Sequence, residues 1–124
     1  MPSRVYICDI ADNNALIKLM SYDPYLDKSL SDEKIAEIKN DPEANIIFAR
    51  QDYNIKDGIS IGLERDKSYL YLSASEEFLN QADKKLKNII KSIKRADKET
   101  EQKVIEIVEG ERSSSEEGLG SIFG

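Results

Sequence analysis

The spacing of apolar residues changes along the chain, and this change restricts the fold more than any other feature of the sequence. Between residues 79 and 93, large apolar residues recur every three or four positions, which is the period of one face of an α-helix. Between residues 59 and 63, every second residue is a large aliphatic, which is typical of a β-strand. A chain with both periods predicts an α+β domain in which helices cover a sheet.

Four segments have the composition of β-strands, with β-branched and aromatic residues at most positions. They are residues 4–10, 46–49, 59–63 and 69–72. The dipeptide Asp57-Gly58 predicts a hairpin, because both residue types tolerate a positive φ. Residues 51–57 either extend this hairpin or form a loop, and the pattern does not decide between the two.

Helix-starting residues precede two short segments of helical spacing in the first third of the chain. Asp12 caps the first predicted helix, which ends near Tyr22 because the following Pro24 disfavours helix at the residue before it. Ser31 starts the second predicted helix, which stops before Pro42.

Two longer helices are predicted in the second half of the chain. The capping-box sequence at residues 73–76 starts the third helix, which the apolar period extends to Ile93. Asp97 starts the fourth, which Gly110 closes. The predicted order is therefore β-α-α-β-β-β-α-α, and the simplest arrangement is a two-layer α/β sandwich of about four mostly antiparallel strands with the helices on one face.

Length and composition indicate one domain followed by a tail. The chain has 124 residues, of which 40% are hydrophobic, and we expect residues 1–109 to form a single α/β domain. Residues 110–124 contain too few apolar side chains to offset the entropy of ordering them, so we expect a flexible acidic, Ser-rich tail with an apolar end. The net charge of −6 and the lack of a long apolar run predict a protein that does not associate with a membrane. The single cysteine fits a reducing compartment, so we expect the protein to be cytoplasmic.

The absence of histidine excludes several classes of enzyme. Without an imidazole there is no Ser-His-Asp or Cys-His nucleophile and no His-ligated zinc, and one cysteine excludes a four-Cys zinc site. Neither a G-x-x-x-x-G-K-[ST] loop nor a G-x-G-x-x-G loop is present. We expect a non-enzymatic protein without a catalytic residue, cofactor or metal, and acid–base chemistry by Asp, Glu, Lys or Tyr is the enzymatic alternative that remains.

Four aspartates near the first predicted strand and helix are candidate oxygen ligands for Mg²⁺ or Ca²⁺. They are Asp9, Asp12, Asp23 and Asp27. Their spacing does not match the twelve-residue calcium loop, and capping of helices and turns already explains aspartate at such positions. Cys8 has no basic neighbour in the strand, so we expect a half-buried strand residue rather than a nucleophile.

The third predicted helix carries a basic stripe beside its apolar one. If the helical period continues, five lysines fall within about 80° of arc. They are Lys84, Lys87, Lys91, Lys94 and Lys98. This stripe is either a solvated helix face or a contact for RNA or phosphate, whose affinity falls steeply with salt.

The C-terminal segment ends in an apolar triplet. If it is helical, Leu119, Ile122 and Phe123 share one face at positions i, i+3 and i+4, which is the anchor pattern of a helix that binds in a groove. Glu116 and Glu117 precede this triplet as acidic accessories. The same residues match part of a sliding-clamp-binding motif, with Glu116 in place of the usual Gln and Ile122 in place of the first aromatic residue.

Residues 116–124 resemble the end of the archaeal acidic ribosomal stalk protein, which finishes in an acidic run and a Gly-Leu-Gly-x-Leu-Phe-Gly type of terminus. The composition as a whole is similar to that of small archaeal proteins. In the stalk family the terminal apolar residues recruit translation GTPases, and the resemblance implies this role for Leu119, Ile122 and Phe123. The rest of the chain does not resemble the all-helical stalk protein.

Together these observations predict a small adaptor that presents its C-terminal apolar residues to a larger partner, such as a translation factor or a sliding clamp. An RNA- or phosphate-binding protein that uses the basic stripe is the alternative from another class. A third interpretation is an inert tail, or one in which Phe123 folds back onto its own domain.

Overall fold

The structure is a computed structural model that describes the backbone of residues 1–123 and the side chains of residues 1–113. Its strands are β1 Ser3–Asp9, β2 Asp52–Asp57, β3 Lys67–Ser73 and β4 Lys94–Arg95. Its helices are α1 Asn13–Ser21, α2 Asp32–Asn40, α3 Glu76–Ile89 and α4 Lys98–Phe123. Short 3-10 turns occupy Ile10–Asp12, Pro24–Leu26 and Phe48–Arg50. Within residues 1–123, no helix combines the length and apolar character needed to cross a bilayer.

The four strands form one antiparallel sheet in the order β2-β3-β1-β4. Tyr6 of β1 lies opposite Leu70 of β3, and Tyr71 of β3 lies opposite Asn54 of β2. The α+β class and the antiparallel sheet of four strands are therefore confirmed. The order along the chain differs from the predicted one, because β4 follows α3 and gives β-α-α-β-β-α-β-α.

The two central strands, β1 and β3, are apolar on both faces. One face carries Tyr6 and Leu70, which pack with Leu16 of α1 and Leu86 of α3. Successive side chains of a strand point to opposite faces, so Val5 and its neighbours lie on the other side. There Val5 packs with Tyr69, Tyr71, Val104 and Val108.

Because α4 covers this second face, the prediction that all helices lie on one face is wrong. Val104 and Val108 of α4 are 1% and 0% exposed against the sheet, whereas α1 and α3 pack on the opposite side. The domain has three layers, helix–sheet–helix. The physical reason lies in β1, where alternate residues are apolar on both faces and each face needs its own cover.

Helix α3 begins at Glu76, two residues later than a capping box with Ser73 as its N-cap predicts, and it ends earlier than expected. The Ser75 hydroxyl accepts a hydrogen bond from the backbone N–H of Phe78, as an N-cap residue does. The helix ends at Ile89, although the apolar period continues to Ile93. Ile90 and Ile93 are both buried, but they enter the core from the turn that leads into β4. The apolar residues Ile90 and Ile93 therefore continue the spacing of a helix, although the helix has already ended.

The strands predicted at residues 46–49 and 59–63 are wrong. Ile46, Ile47 and Phe48 are buried from a loop and a 3-10 turn, and residues 58–66 connect β2 to β3. Residues 52–57 form β2, and the hairpin signal at Asp57-Gly58 lies at the end of this strand. Gly58 is required there because a Cβ atom would lie 1.6 Å from the carbonyl oxygen of Glu64.

Helices α1 and α2 form close to the predicted bounds. α1 buries Leu16 and Met20 against the core. α2 is capped by Ser31, whose hydroxyl accepts from the N–H of Lys34, but it buries none of its residues. α2 is therefore a peripheral helix that contributes little to the core.

Helix α4 is tied to the sheet at its first turns. The Asp97 carboxylate accepts from the N–H of Thr100 at 2.8 Å, which confirms the predicted cap. The Glu101 carboxylate accepts from the backbone N–H of Val5 at 3.0 Å and forms an ion pair with Arg95 at 3.1 Å. These hydrogen bonds lower the pKa of Glu101 even though its burial acts to raise it. The helix continues through Gly110, which does not close it as predicted.

We expect Val108→Ala to lower the free energy of unfolding by about 2 kcal/mol, because it removes two buried methyl-sized groups at ~0.8 kcal/mol each and leaves a cavity. Guanidinium unfolding followed by circular dichroism measures this change. Lys103→Ala on the exposed side of the same helix is the control and should alter stability by less than about 0.5 kcal/mol. Equal stability of the two variants would contradict the packing of α4 on the sheet.

Candidate functional site

The predicted partner-binding side chains lie outside the described ones. Side chains are described only to residue 113, so the structure does not describe those of Glu116, Glu117, Leu119, Ile122 and Phe123. The backbone of α4 continues to Phe123. Just before this segment, α4 reaches the far edge of the sheet at β2.

Arg112 holds α4 against the edge strand β2. Its guanidinium donates two hydrogen bonds to the Asp52 carboxylate, at 2.6 and 2.9 Å. The same group lies 5.3 Å from the centroid of the Tyr71 ring, within the range of a cation–π contact. The hydrogen bonds to Asp52 raise the pKa of Arg112. A planar guanidinium with two parallel bonds orients the helix more firmly than a single point charge does.

A second ion pair lies beside the first. Lys56 Nζ is 2.6 Å from the Glu111 carboxylate. Lys56 and Asp52 are four residues apart in β2, so both side chains point to the face that α4 covers. We call these four residues, Asp52, Lys56, Glu111 and Arg112, the tail anchor. Glu111 and Arg112 belong to the predicted tail, and both contact the sheet.

The five candidate lysines do not form a single helical stripe. Because α3 ends at Ile89, the set is distributed over two helices, a turn and a strand, and the predicted 80° arc is wrong. Lys84 and Lys87 lie on α3, Lys91 in the following turn, Lys94 in β4, and Lys98 is the first residue of α4. Lys87 forms an ion pair with Asp83 at 3.0 Å. Among the described residues the other four lysines form no ion pair.

Lys94 faces a polar cleft of about 310 Å³ beside the start of α4. Lys67 and Arg95 also line this cleft, and each is paired, with Asp9 at 2.7 Å and with Glu101 at 3.1 Å. Acidic Glu64 and Asp97 line it as well. The mixed charges give the cleft little preference for an anion, so a phosphate has no strong electrostatic reason to bind there.

The four candidate aspartates have separate structural roles. Asp12 accepts a hydrogen bond from the Ser92 hydroxyl, and Asp23 accepts from the N–H of Tyr25 and pairs with Arg50. Asp27 accepts hydrogen bonds from Tyr22 and Ser29, and Asp9 pairs with Lys67. In the part of the chain that the structure describes, no three His, Cys, Asp or Glu residues are grouped as they would be around a metal ion.

Cys8 is buried on the face that α3 covers. It is 1% exposed, which is more buried than the half-buried position predicted for it. Burial raises the pKa of its thiol to about 11, and the charges of Asp12 and Asp9 act in the same direction. A thiol protonated at neutral pH and enclosed by the core is a poor nucleophile.

Lys85 is a residue whose role the sequence pattern did not reveal. It belongs to the same basic run as Lys84 and Lys87, yet its ammonium points inward and donates to the carbonyl oxygen of Ile46 at 2.9 Å. Its position in the helix could have indicated this inward orientation, because Lys85 lies one turn after buried Ala82 and next to buried Leu86. The contact with Ile46 is long-range and no local pattern predicts it.

No protein-family model, curated protein or solved structure matches this chain. The resemblance of residues 116–124 to the stalk terminus therefore stays a prediction. The same applies to the match with the sliding-clamp motif.

We expect Arg112→Ala to loosen the end of the described helix while changing global stability by less than about 1 kcal/mol, because both partners of the pair are partly exposed. Amide hydrogen exchange should become several times faster at residues 108–112. Arg65→Ala is a matched control, since Arg65 is exposed and forms no ion pair among the described residues. Unchanged exchange in Arg112→Ala would show that the tail anchor does not hold α4.

The Cys8 thiol should make stability decrease at alkaline pH. The pKa of Cys8 is raised from 9.0 to about 11 on folding, so the folded state keeps a proton that the unfolded chain releases. This stabilisation is complete below pH 9 and is lost as the pH rises toward 11. Denaturant unfolding from pH 7 to pH 10 should show a steeper decrease for the natural chain than for Cys8→Ala. Parallel curves would contradict the raised pKa.

Proposed function

We propose that this protein is a non-enzymatic adaptor that presents Leu119, Ile122 and Phe123 to a larger protein partner. The tail anchor is the observation that supports this proposal most directly. Arg112 and Glu111 hold α4 on β2 immediately before the segment that carries the apolar triplet. A short recognition motif gains affinity when its carrier is held in one place, because less entropy is lost on binding.

The length of α4 also supports presentation away from the domain. At 1.5 Å per helical residue, the distance along the helix from Arg112 to Phe123 is about 17 Å. A partner that binds the triplet would therefore lie about three helical turns from Arg112. The core side chains take no part in this recognition.

The chemistry of the segment specifies the kind of partner. Three apolar residues at the sequence spacing i, i+3 and i+4 suit an apolar groove, and Glu116 and Glu117 favour a basic rim beside it. The net charge of −6 adds attraction to a basic surface, which salt weakens. A translation GTPase and a sliding clamp are the two partner classes that the motif resemblances suggest.

Affinity capture from an archaeal lysate tests the adaptor proposal. The full chain should retain a translation GTPase or a sliding clamp, and the triple variant Leu119→Ala, Ile122→Ala, Phe123→Ala should retain at least about tenfold less. The double variant Ser114→Ala, Ser115→Ala is the matched control and should behave as the full chain. Mass spectrometry identifies the retained protein, and calorimetry with that purified protein measures the loss. Equal retention by the triple variant would reject the proposal.

An RNA- or phosphate-binding function is the second candidate, and one observation favours it. Lys84, Lys91, Lys94 and Lys98 are exposed and form no ion pair among the described residues. Four unpaired ammonium groups are available to phosphates, although they no longer share one helix face.

The same lysines provide a test that separates the two functions. The variant Lys84→Glu, Lys91→Glu should leave capture of the protein partner unchanged if the adaptor proposal holds. If the adaptor proposal holds, fluorescence anisotropy of a labelled single-stranded RNA should also show no binding by the natural chain at about 150 mM salt. Tight, salt-sensitive RNA binding that this variant abolishes would favour the second function instead.

A further inference from the structure

An apolar cavity of about 220 Å³ lies at the end of the domain formed by α1, α2 and the turn before β2. Its lining is almost entirely apolar. The main contributors are Leu19, Tyr22, Pro24, Ile38, Ile46 and Phe48. The one charged side chain that lines it is Lys85 of α3. This volume is below the range of drug-sized binding sites, so any occupant is a small molecule.

The Lys85 ammonium has more hydrogen-bonding capacity than the described residues satisfy. It carries three N–H donors, and one of them is used by the carbonyl oxygen of Ile46 at 2.9 Å. Its nitrogen lies 5.9 Å from the centroid of the Phe48 ring. No carboxylate among residues 1–113 forms an ion pair with it. A partly buried cation therefore lines an apolar space, with two N–H donors that no described residue accepts.

Burial affects this lysine more than the nearby acidic groups do. Loss of solvent lowers the pKa of Lys85, while the charges of Glu43 and Asp41 act to raise it and only partly offset the burial. An anion inside the cavity would restore the interaction that the ammonium lost with water. The ammonium is thus a positive group without an ion-pair partner among the described residues, beside an apolar cavity.

One wall of the cavity comes from a helix with no buried residue. Ile38 of α2 lines it, yet α2 buries none of its residues. An element with few buried contacts separates from the domain at a low free-energy cost. We therefore expect α2 to move away from the cavity while α1 and α3 stay packed. A small molecule can enter without unfolding the core.

We propose that this cavity binds a small apolar carboxylate, such as a medium-chain fatty acid or an aryl carboxylate, with its carboxylate at the Lys85 ammonium. The apolar part of the molecule fills the space between Leu19, Ile38 and Phe48. Its two oxygens accept the free N–H donors of Lys85 in charge-assisted hydrogen bonds. The described residues that line this cavity do not include the C-terminal triplet, and this inference does not depend on the adaptor function.

The chemistry of the lining excludes other classes of occupant. A cation would face the ammonium of Lys85. A free phosphate would lose its hydrogen bonds to water, and one lysine beside an apolar wall could not replace them. A neutral apolar molecule would fill the volume but leave two donors of the ammonium without acceptors, so it should bind more weakly than a carboxylate of the same length.

NMR titration of the full chain with sodium octanoate tests this proposal, with 1-octanol as the neutral molecule of equal length. Octanoate should shift the signals of residues around the cavity and should bind at least about tenfold more tightly than octanol. Lys85→Met should remove this difference, while octanol binding stays within about twofold. Lys84→Met is the matched control, because Lys84 is adjacent in sequence but exposed, and it should bind octanoate as the natural chain does.

A second variant tests the cavity without removing the charge. Ile38→Trp should fill the space and abolish octanoate binding, and α2 should tolerate it because none of its residues is buried. Equal affinities for octanoate and octanol in the natural chain would overturn the role of Lys85. Signal shifts spread over the exposed lysines, or equal losses in Lys84→Met and Lys85→Met, would overturn the cavity as the site.

Discussion

The burial of β1 and β3 on both faces is the constraint on which the rest of the structure depends. Residues 5–8 of β1 and residues 69–72 of β3 alternate between two apolar clusters, so neither face of the sheet can remain in water. One face is covered by α1 and α3, and the other by α4. The three-layer arrangement follows from this requirement.

Helix α4 has a structural role and, in the proposed function, a carrier role. It starts beside β4, where Glu101 pairs with Arg95, and it reaches β2, where Arg112 binds Asp52. The helix therefore crosses the whole sheet and is tied at both edges. The same contacts that complete the core also set the point from which the C-terminal segment continues. Stability and presentation are coupled, because a change that loosens α4 also releases the position of the segment.

The basic run in the second half of the chain has several physical roles. Lys87 pairs with Asp83 on the helix surface, Lys85 caps the carbonyl of Ile46 beside the apolar cavity, and Lys94 lies in the edge strand. Their differences come from the end of α3 at Ile89, after which the chain turns and changes its period. A similar charge can therefore be a solvated surface group, a structural cap or a ligand contact, depending on what the backbone places next to it.

Local features of the sequence were sufficient for the α+β class and for the starts of α2 and α4, because capping by Ser31 and Asp97 uses hydrogen bonds to residues only three positions away. The tertiary structure decided what depends on distant partners. Residues 52–57 have only two apolar members, Tyr53 and Ile55, and they form a strand because β3 offers them a hydrogen-bonding edge. The apolar residues 46–48 become a loop and a 3-10 turn because the core accepts them there. The second helical layer, the tail anchor and the Lys85 cavity likewise join segments far apart in the chain, and such contacts leave no periodic signal in the sequence.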